Sequence, residues 1–184
     1  ESRAWIPQIG VTWSVAVTSL GLVMILLALA LVPLVLIAGW DENEDRGAYP
    51  ALVLALEAFM VLIFAAFDLA VFYVAFEAML IPLYFMIGRY GVGDEAARHK
   101  AAMKFLLYSL FGGLIMLGGV LFIWALGSST QSNTIAFFRM DTLAALLPNL
   151  SASVQMVVFV SFMVAFAIKA PMVPVHTWLP DTAA

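Results

Sequence analysis

Long apolar stretches dominate this chain, and short polar interruptions divide them. A bilayer core of about 30 Å takes roughly 20 apolar residues of helix. Runs of that kind predict five transmembrane helices: 14–38, 49–67, 69–87, 104–126, and a fifth from 152 to about Lys169. The breaks are chemically marked. Residues 41–47 form an acidic, solvated turn, and Asp68 alone separates the second helix from the third. Residues 88–102 read as a polar loop carrying Arg89, Arg98, His99 and Lys100. Residues 127–151 read as a longer loop. Within it, 135–147 is amphipathic, with Phe137, Phe138, Leu143 and Leu147 apolar, and either lies along the membrane interface or is an ordinary ordered loop.

Composition agrees with this pattern. The chain has 184 residues, 65% apolar and only 11% charged, with a mean hydropathy of +1.06. Soluble domains average about 25% charged residues, so lipid is the expected solvent. The fold class is therefore all-α integral membrane, with the last helix broken. The net charge of −4 sits mostly in loops, and no basic run suggests nucleic acid. Cysteine is absent, which excludes disulfides and iron–sulfur ligation by this chain. The opening Glu1-Ser2-Arg3 shows no signal-peptide pattern, and no nucleotide fingerprint or P-loop is visible, so none of these is expected. No cofactor and no metal is expected on this chain.

Lysine and arginine near helix ends set the orientation. Arg46, Arg89, Arg98, Lys100 and Lys104 fall on one side, with only Arg3 and Arg139 on the other. The loops at 40–49 and 88–103 are thus expected in the cytoplasm. Trp5, Trp13 and Trp40 sit where interfacial aromatic belts lie.

Charges inside the apolar runs carry the chemistry. A charge at bilayer depth costs about 2.5–3.5 kcal/mol even on the lenient insertion scale, so it marks a functional site by default. Glu77 lies in Phe76-Glu77-Ala78-Met79-Leu80-Ile81-Pro82, with nothing charged within a helical turn. Pro82 has no N–H for the Ala78 carbonyl, which is left to bind water or a polar group. Lys169 ends Ala165-Phe166-Ala167-Ile168-Lys169-Ala170-Pro171. Pro171 and Pro174 force the helix to break just after it, as happens where a helix lines water or is buried in protein. A structural carboxylate bonded to a neighbouring helix is the plainer alternative for Glu77, and snorkelling to the surface for Lys169. Glu57, midway along the second helix, either extends a polar path or pairs with another helix. His176 is either a proton carrier or a hydrogen-bonded structural residue. Asp68 reads as a helix cap, His99 as solvated, and Lys104 as an interfacial anchor with a relay role as the minority reading. Ser109 with Gly113, and Gly118 with Gly119, read as close-packing positions.

Two segments resemble a known family. One runs from Phe72 through Glu77-Ala78-Met79-Leu80-Ile81-Pro82-Leu83-Tyr84 to Gly88, followed by Ala101-Ala102-Met103-Lys104-Phe105-Leu106-Leu107-Tyr108. The other is Lys169-Ala170-Pro171-Met172-Val173-Pro174-Val175-His176-Thr177-Trp178-Leu179-Pro180-Asp181. Together they resemble the antiporter-like membrane subunits of respiratory complex I (proton-translocating NADH-quinone oxidoreductase), and most of all those of the subunit M, or chain 4, type. The likeness extends from Asp68 to Asp181. It divides the chain into an N-terminal helix pair, 1–67, and the start of an antiporter-like domain, 68–184.

The resemblance implies an inverted-repeat fold of which this chain is a fragment, lacking the first two helices and everything after the seventh. It implies proton passage through half-channels joined by a hydrated axis. Glu77 matches the glutamate of the family's fifth helix, Lys169 the lysine of its broken seventh, and His176 a histidine on the path onward. It implies quinone reduction elsewhere as the driving reaction, with NADH, FMN, iron–sulfur clusters and quinone on other subunits. It also implies the neighbouring antiporter-like subunits L and N as partners, and the inner membrane of a bacterium as location. Two departures stand out. Thr182-Ala183 follows Asp181 where many members have Ala-His, and Val17-Thr18-Ser19-Leu20 stands where members often carry an aspartate–glycine pair. The same motifs occur in Mrp-type cation/proton antiporters and membrane-bound hydrogenases. A structural scaffold subunit is the alternative of another class.

Overall fold

Residues 1–39, 47–130 and 136–183 are described by a computed structural model. Its first feature is one the hydropathy pattern concealed. Strands β1 (Ser2–Ile6) and β2 (Val11–Ser14) form an antiparallel hairpin around a 3-10 turn at Pro7–Ile9. Helix α1 therefore spans Ser19–Ala38 and does not begin at Ser14. The Ser14 hydroxyl is committed to the hairpin, 2.6 Å from that of Ser2 and 3.0 Å from that of Thr12. Thr18 caps α1 by accepting from the Gly21 N–H at 3.0 Å. Trp5 and Trp13 pack edge to face on the hairpin.

Helix α2 (Ala48–Ala65) returns beside α1, close enough that a Cβ at Gly21 would sit 2.6 Å from the Phe64 carbonyl oxygen. The expected acidic turn, Trp40 and Arg46 lie outside the described residues. The third run forms one membrane span in two pieces, α3 (Leu69–Ala78) and α4 (Leu80–Tyr90), joined at Met79. Pro82 accounts for the joint, because its missing N–H leaves the ladder one bond short there.

Helix α5 (Glu95–Thr130) corrects the expected polar loop at 88–102. The Asp94 side chain accepts from the Ala97 N–H at 2.7 Å and starts the helix. Residues 95–102 include Glu, Ala, Arg and Lys, all good helix formers. Their polarity marks emergence from the bilayer, not loss of helix. At 1.5 Å per residue a helix of this length reaches about 54 Å, well beyond a core of about 30 Å. Helix α5 is central, packed against α4 and α7.

Helix α6 (Met140–Leu146) follows, and the amphipathic stretch departs from its interfacial reading. Phe137, Phe138 and Leu143 are buried in a protein core with Val11, Leu69, Val120 and Ile123. Ile135 lies outside the described residues. The backbone explains the burial: Leu69 N–H donates to the Phe138 carbonyl at 2.8 Å and Met140 N–H to that of Phe67 at 3.0 Å. Asp68 is wholly buried in this clasp. It accepts from the Thr12 N–H (3.0 Å), the Thr12 hydroxyl (2.7 Å) and the Ala70 N–H (2.9 Å), the capping role expected of it. Just outside, Arg139 grips Asp141 in a fork with its shorter arm at 2.6 Å, which holds the Asp141 carboxyl down at about 2.

Helix α7 spans Ala152–Lys169 and stops where the prolines predict, and α8 (Leu179–Ala183) ends the described chain. Among the described residues five helices are long and apolar enough to cross a membrane, and large side chains such as Leu20 and Ile37 stand more than two-thirds exposed, as lipid-facing positions do.

Candidate functional site

Glu77 is the penultimate residue of α3, two residues before the joint to α4 at Met79. Its carboxylate reaches α5 at Gly113, so close that any Cβ there would collide with it. Gly113, read in the sequence as a packing residue, is thus the space in which this carboxylate lies. The neighbouring glycines serve α7 instead. Gly112 meets Ala165 and Ile168, and Gly119 meets Ser161. Gly118 faces open space, so only one of the expected Gly118–Gly119 pair is a packing position.

Lys169 closes α7. Its ammonium lies 4.5 Å from the ring centroid of Phe76, the residue before Glu77, in cation–π range. Glu77 and Lys169 lie within range of each other's charge, and Tyr73, one turn before Glu77, also feels the carboxylate. Neither side chain is hydrogen-bonded to a described residue. The Lys169 ammonium and one Glu77 carboxylate oxygen are buried with no partner among the described residues, and so are the Ser109 hydroxyl and His176 Nδ1. Buried polar groups in native proteins are nearly always satisfied by protein or water. These four belong to α3, α5, α7 and the segment after α7. A cavity of about 430 Å³ between α4 and α5 opens on Glu77, lined otherwise by apolar and aromatic groups such as Ile81, Tyr84 and Leu110.

The fold therefore brings Glu77 and Lys169 together across α5. His176 stands seven residues beyond Lys169, on the chain that follows the break. Glu57 is half-buried on α2 and makes no hydrogen bond or ion pair to a described residue. Lys104, partly exposed on α5, reaches the segment that follows α7. Its ammonium donates to the Thr177 carbonyl at 2.6 Å and to Asp181 at 2.7 Å, which holds the Asp181 carboxyl below the usual carboxylate range. His99 is exposed, 3.6 Å from Glu95. Ser109 and Tyr73 were not singled out as chemistry from the sequence. A hydroxyl one helical turn before the glycine that faces a buried acid is the signal that would have found Ser109. Among the described residues no group of three or more His, Asp or Glu comes together as metal ligands would.

The described chain thus has helices long and apolar enough to cross a membrane, with an acid and an amine buried beside the break at the end of α7. The chain belongs to the NADH:quinone oxidoreductase/Mrp antiporter transmembrane family, whose model matches residues 66–184. It is 40% identical to NADH-quinone oxidoreductase subunit M of Mycobacterium tuberculosis (strain H37Rv) over 100% of its own length and 38% of the relative's. It is 38% identical to subunit M of Rhodobacter capsulatus, over 98% of this chain and 35% of that one. The alignments take in β1, β2, α1 and α2, beyond the segment whose motifs carried the resemblance. A chain of respiratory complex I from Thermus thermophilus with bound NADH superposes with a TM-score of 0.82 at 35% identity, covering 99% of this chain and 36% of that one. The chain thus spans less than two-fifths of the length of these relatives.

Proposed function

We propose that this chain is part of a proton-translocating membrane subunit of NADH-quinone oxidoreductase, in which Glu77, Lys169 and His176 lie on a hydrated path. The observation that carries the reading is the Glu77–Lys169 pair, buried in mutual range with polar atoms left unpartnered. A pair made only for stability would be expected to close into a hydrogen-bonded bridge, since an unsatisfied buried charge is strongly destabilising. Atoms left open at membrane depth suit water and proton exchange.

On this reading the Glu77 carboxylate steadies the protonated lysine. A charge arriving from a neighbouring subunit draws the carboxylate away, the ammonium loses its counter-charge, and its proton passes along water towards His176. Ser109 gives that water a hydroxyl to bond. Quinone reduction drives the cycle from elsewhere in the complex, where NADH, FMN, iron–sulfur clusters and quinone are held. The partners are other membrane-arm subunits, the antiporter-like subunits L and N among them. The chain lies in a bacterial plasma membrane with 40–49 and 88–103 on the cytoplasmic side. Relatives named subunit M favour this over the Mrp antiporters that share the family.

The test is proton pumping by the whole complex in proteoliposomes, carrying Lys169→Ala or Glu77→Gln in the full-length chain, with electron transfer measured in parallel. Pumping falls, and protons per electron fall with it, in complexes that still assemble. Unchanged protons per electron in both variants would make the pair structural and remove the reading. Replacing sodium with choline in the same vesicles separates proton from sodium transport.

A further inference from the structure

The chain beyond Lys169 is not a loose end, and the hydrogen bonds at the break show why. Pro171 cannot serve the Ala167 carbonyl, so the Met172 N–H takes that place at 2.8 Å. Met172 would ordinarily have bonded the Ile168 carbonyl, which is now left over. The indole N–H of Trp178 fills it at 2.9 Å, in a buried position. Trp178 has one donor, and it is spent on the carbonyl immediately before Lys169.

The ring of Trp178 is fixed from the other side. It packs edge to face on Phe105 of α5, centroids 5.2 Å apart, and against Leu80 of α4, two residues beyond the end of α3. Its flanks are tied to α5 as well. Lys104 binds the Thr177 carbonyl on one side of it and Asp181 on the other. The Thr177 hydroxyl donates to the Tyr108 phenol at 2.8 Å, one helical turn along α5 from Lys104. Residues 170–181 thus form a strap that leaves α7, crosses to α5, and returns one hydrogen bond to the last turn of α7.

We propose that Trp178 is a positioning residue for Lys169: its indole bond to the Ile168 carbonyl and its seat on Leu80 and Phe105 fix the last turn of α7, and Lys104 holds the strap in place. The proposal rests on the proton-path reading and deepens it. The single donor of Trp178 goes to a backbone carbonyl and not to a proton carrier. It sets where the lysine backbone lies relative to the helix layer that carries Glu77.

The experiment uses the assembled complex in proteoliposomes. Trp178→Phe keeps an aromatic ring and removes the N–H. Lys104→Met frees the strap, and Lys104→Arg retains a donor to Asp181. A fault of folding alone lowers the yield of complex but leaves protons per electron unchanged in what assembles. The expected result is a roughly three- to tenfold fall in pumping rate per assembled complex for Trp178→Phe, the factor that one buried hydrogen bond supports. Protons per electron fall with it, also in Lys104→Met, and recover in Lys104→Arg. Unchanged protons per electron in Trp178→Phe, where Lys169→Ala abolishes pumping, would overturn the positioning role alone. Unchanged pumping in Lys169→Ala would overturn the path and the positioning role together. Should Trp178→Phe fail to assemble, Asp181→Asn decides in its place by the same ratio.

Discussion

Replacing Gly113 with alanine adds one methyl group at the point where α5 meets the Glu77 carboxylate. The structure gives the size of the effect. The new Cβ would lie 2.5 Å from the Glu77 Cδ and 2.9 Å from one oxygen, with the other oxygen nearer still. Carbon atoms rest at about 3.5–4.0 Å, so the carboxyl group must retreat by roughly 1 Å. The end of a flexible side chain can make that move without unfolding the helix. Stability should therefore change little, by less than the roughly 1–3 kcal/mol of core overpacking. Position is another matter, since a displacement of about 1 Å in a reacting group can lower a rate by about 100-fold. The assay is proton pumping and quinone turnover in proteoliposomes, with thermal melting of the purified complex beside it. Gly118→Ala is the control, because a Cβ there meets nothing within 4 Å. The expected outcome is a large fall in pumping for Gly113→Ala, near-normal pumping for Gly118→Ala, and melting temperatures within a few degrees of each other. Equal pumping by the two variants would show that the placement of the Glu77 carboxylate against α5 is irrelevant, and the reasoning would be refuted.

Asp68→Ala strips an acceptor from three donors in the clasp. It should destabilise the chain by about 3 kcal/mol, read as an earlier melt of the isolated complex, because buried donors are left unsatisfied. The Asp141 carboxyl, held at about 2 by Arg139, gives a pH-dependent effect. A depressed carboxyl contributes stability above its unfolded value of about 3.9, and the contribution is lost as pH falls through the folded value. Melting of the native complex and of Arg139→Met should differ slightly at pH 5 and converge near pH 2. A difference that widened on acidification would contradict the pairing.

The spans were legible because their composition leaves them no solvent but lipid, and the end of α7 was legible because Pro171 and Pro174 act locally. Glu77 and Lys169 were legible by the same rule of cost. Other features depend on partners distant in sequence. The hairpin at 2–14 is made by the pairing of β1 with β2 and is anchored by Thr12 on the distant Asp68, and the apolar Val15-Ala16-Val17 that follows masks so short an alternation. Phe137 and Phe138 have the pattern of an interfacial helix, and only backbone bonds to Phe67 and Leu69 draw them inward. Gly112, Gly113, Gly118 and Gly119 are alike in sequence. Adjacent helical positions are about 100° apart around the axis, so they face α7, Glu77 or open space according to where those neighbours stand. Trp178 stands within the motif that follows Lys169, but its partner, the Ile168 carbonyl, is freed only by the shift of the Met172 N–H to Ala167.

Helix α5 shapes the site by omission: hydrogen atoms at positions 112, 113 and 119 where other residues would place carbon. In water that habit has a cost, since glycine gives up more freedom than alanine on entering a helix, about 0.5–1 kcal/mol per residue. The cost belongs to the disordered chain with which the helix competes. Inside a bilayer that competitor is missing, because a backbone without internal hydrogen bonds cannot lie in hydrocarbon. The membrane thus makes the helix obligatory and glycine nearly free of penalty, so a long rod can be notched repeatedly and remain a rod. A water-soluble protein carving the same recess would have to find its rigidity elsewhere.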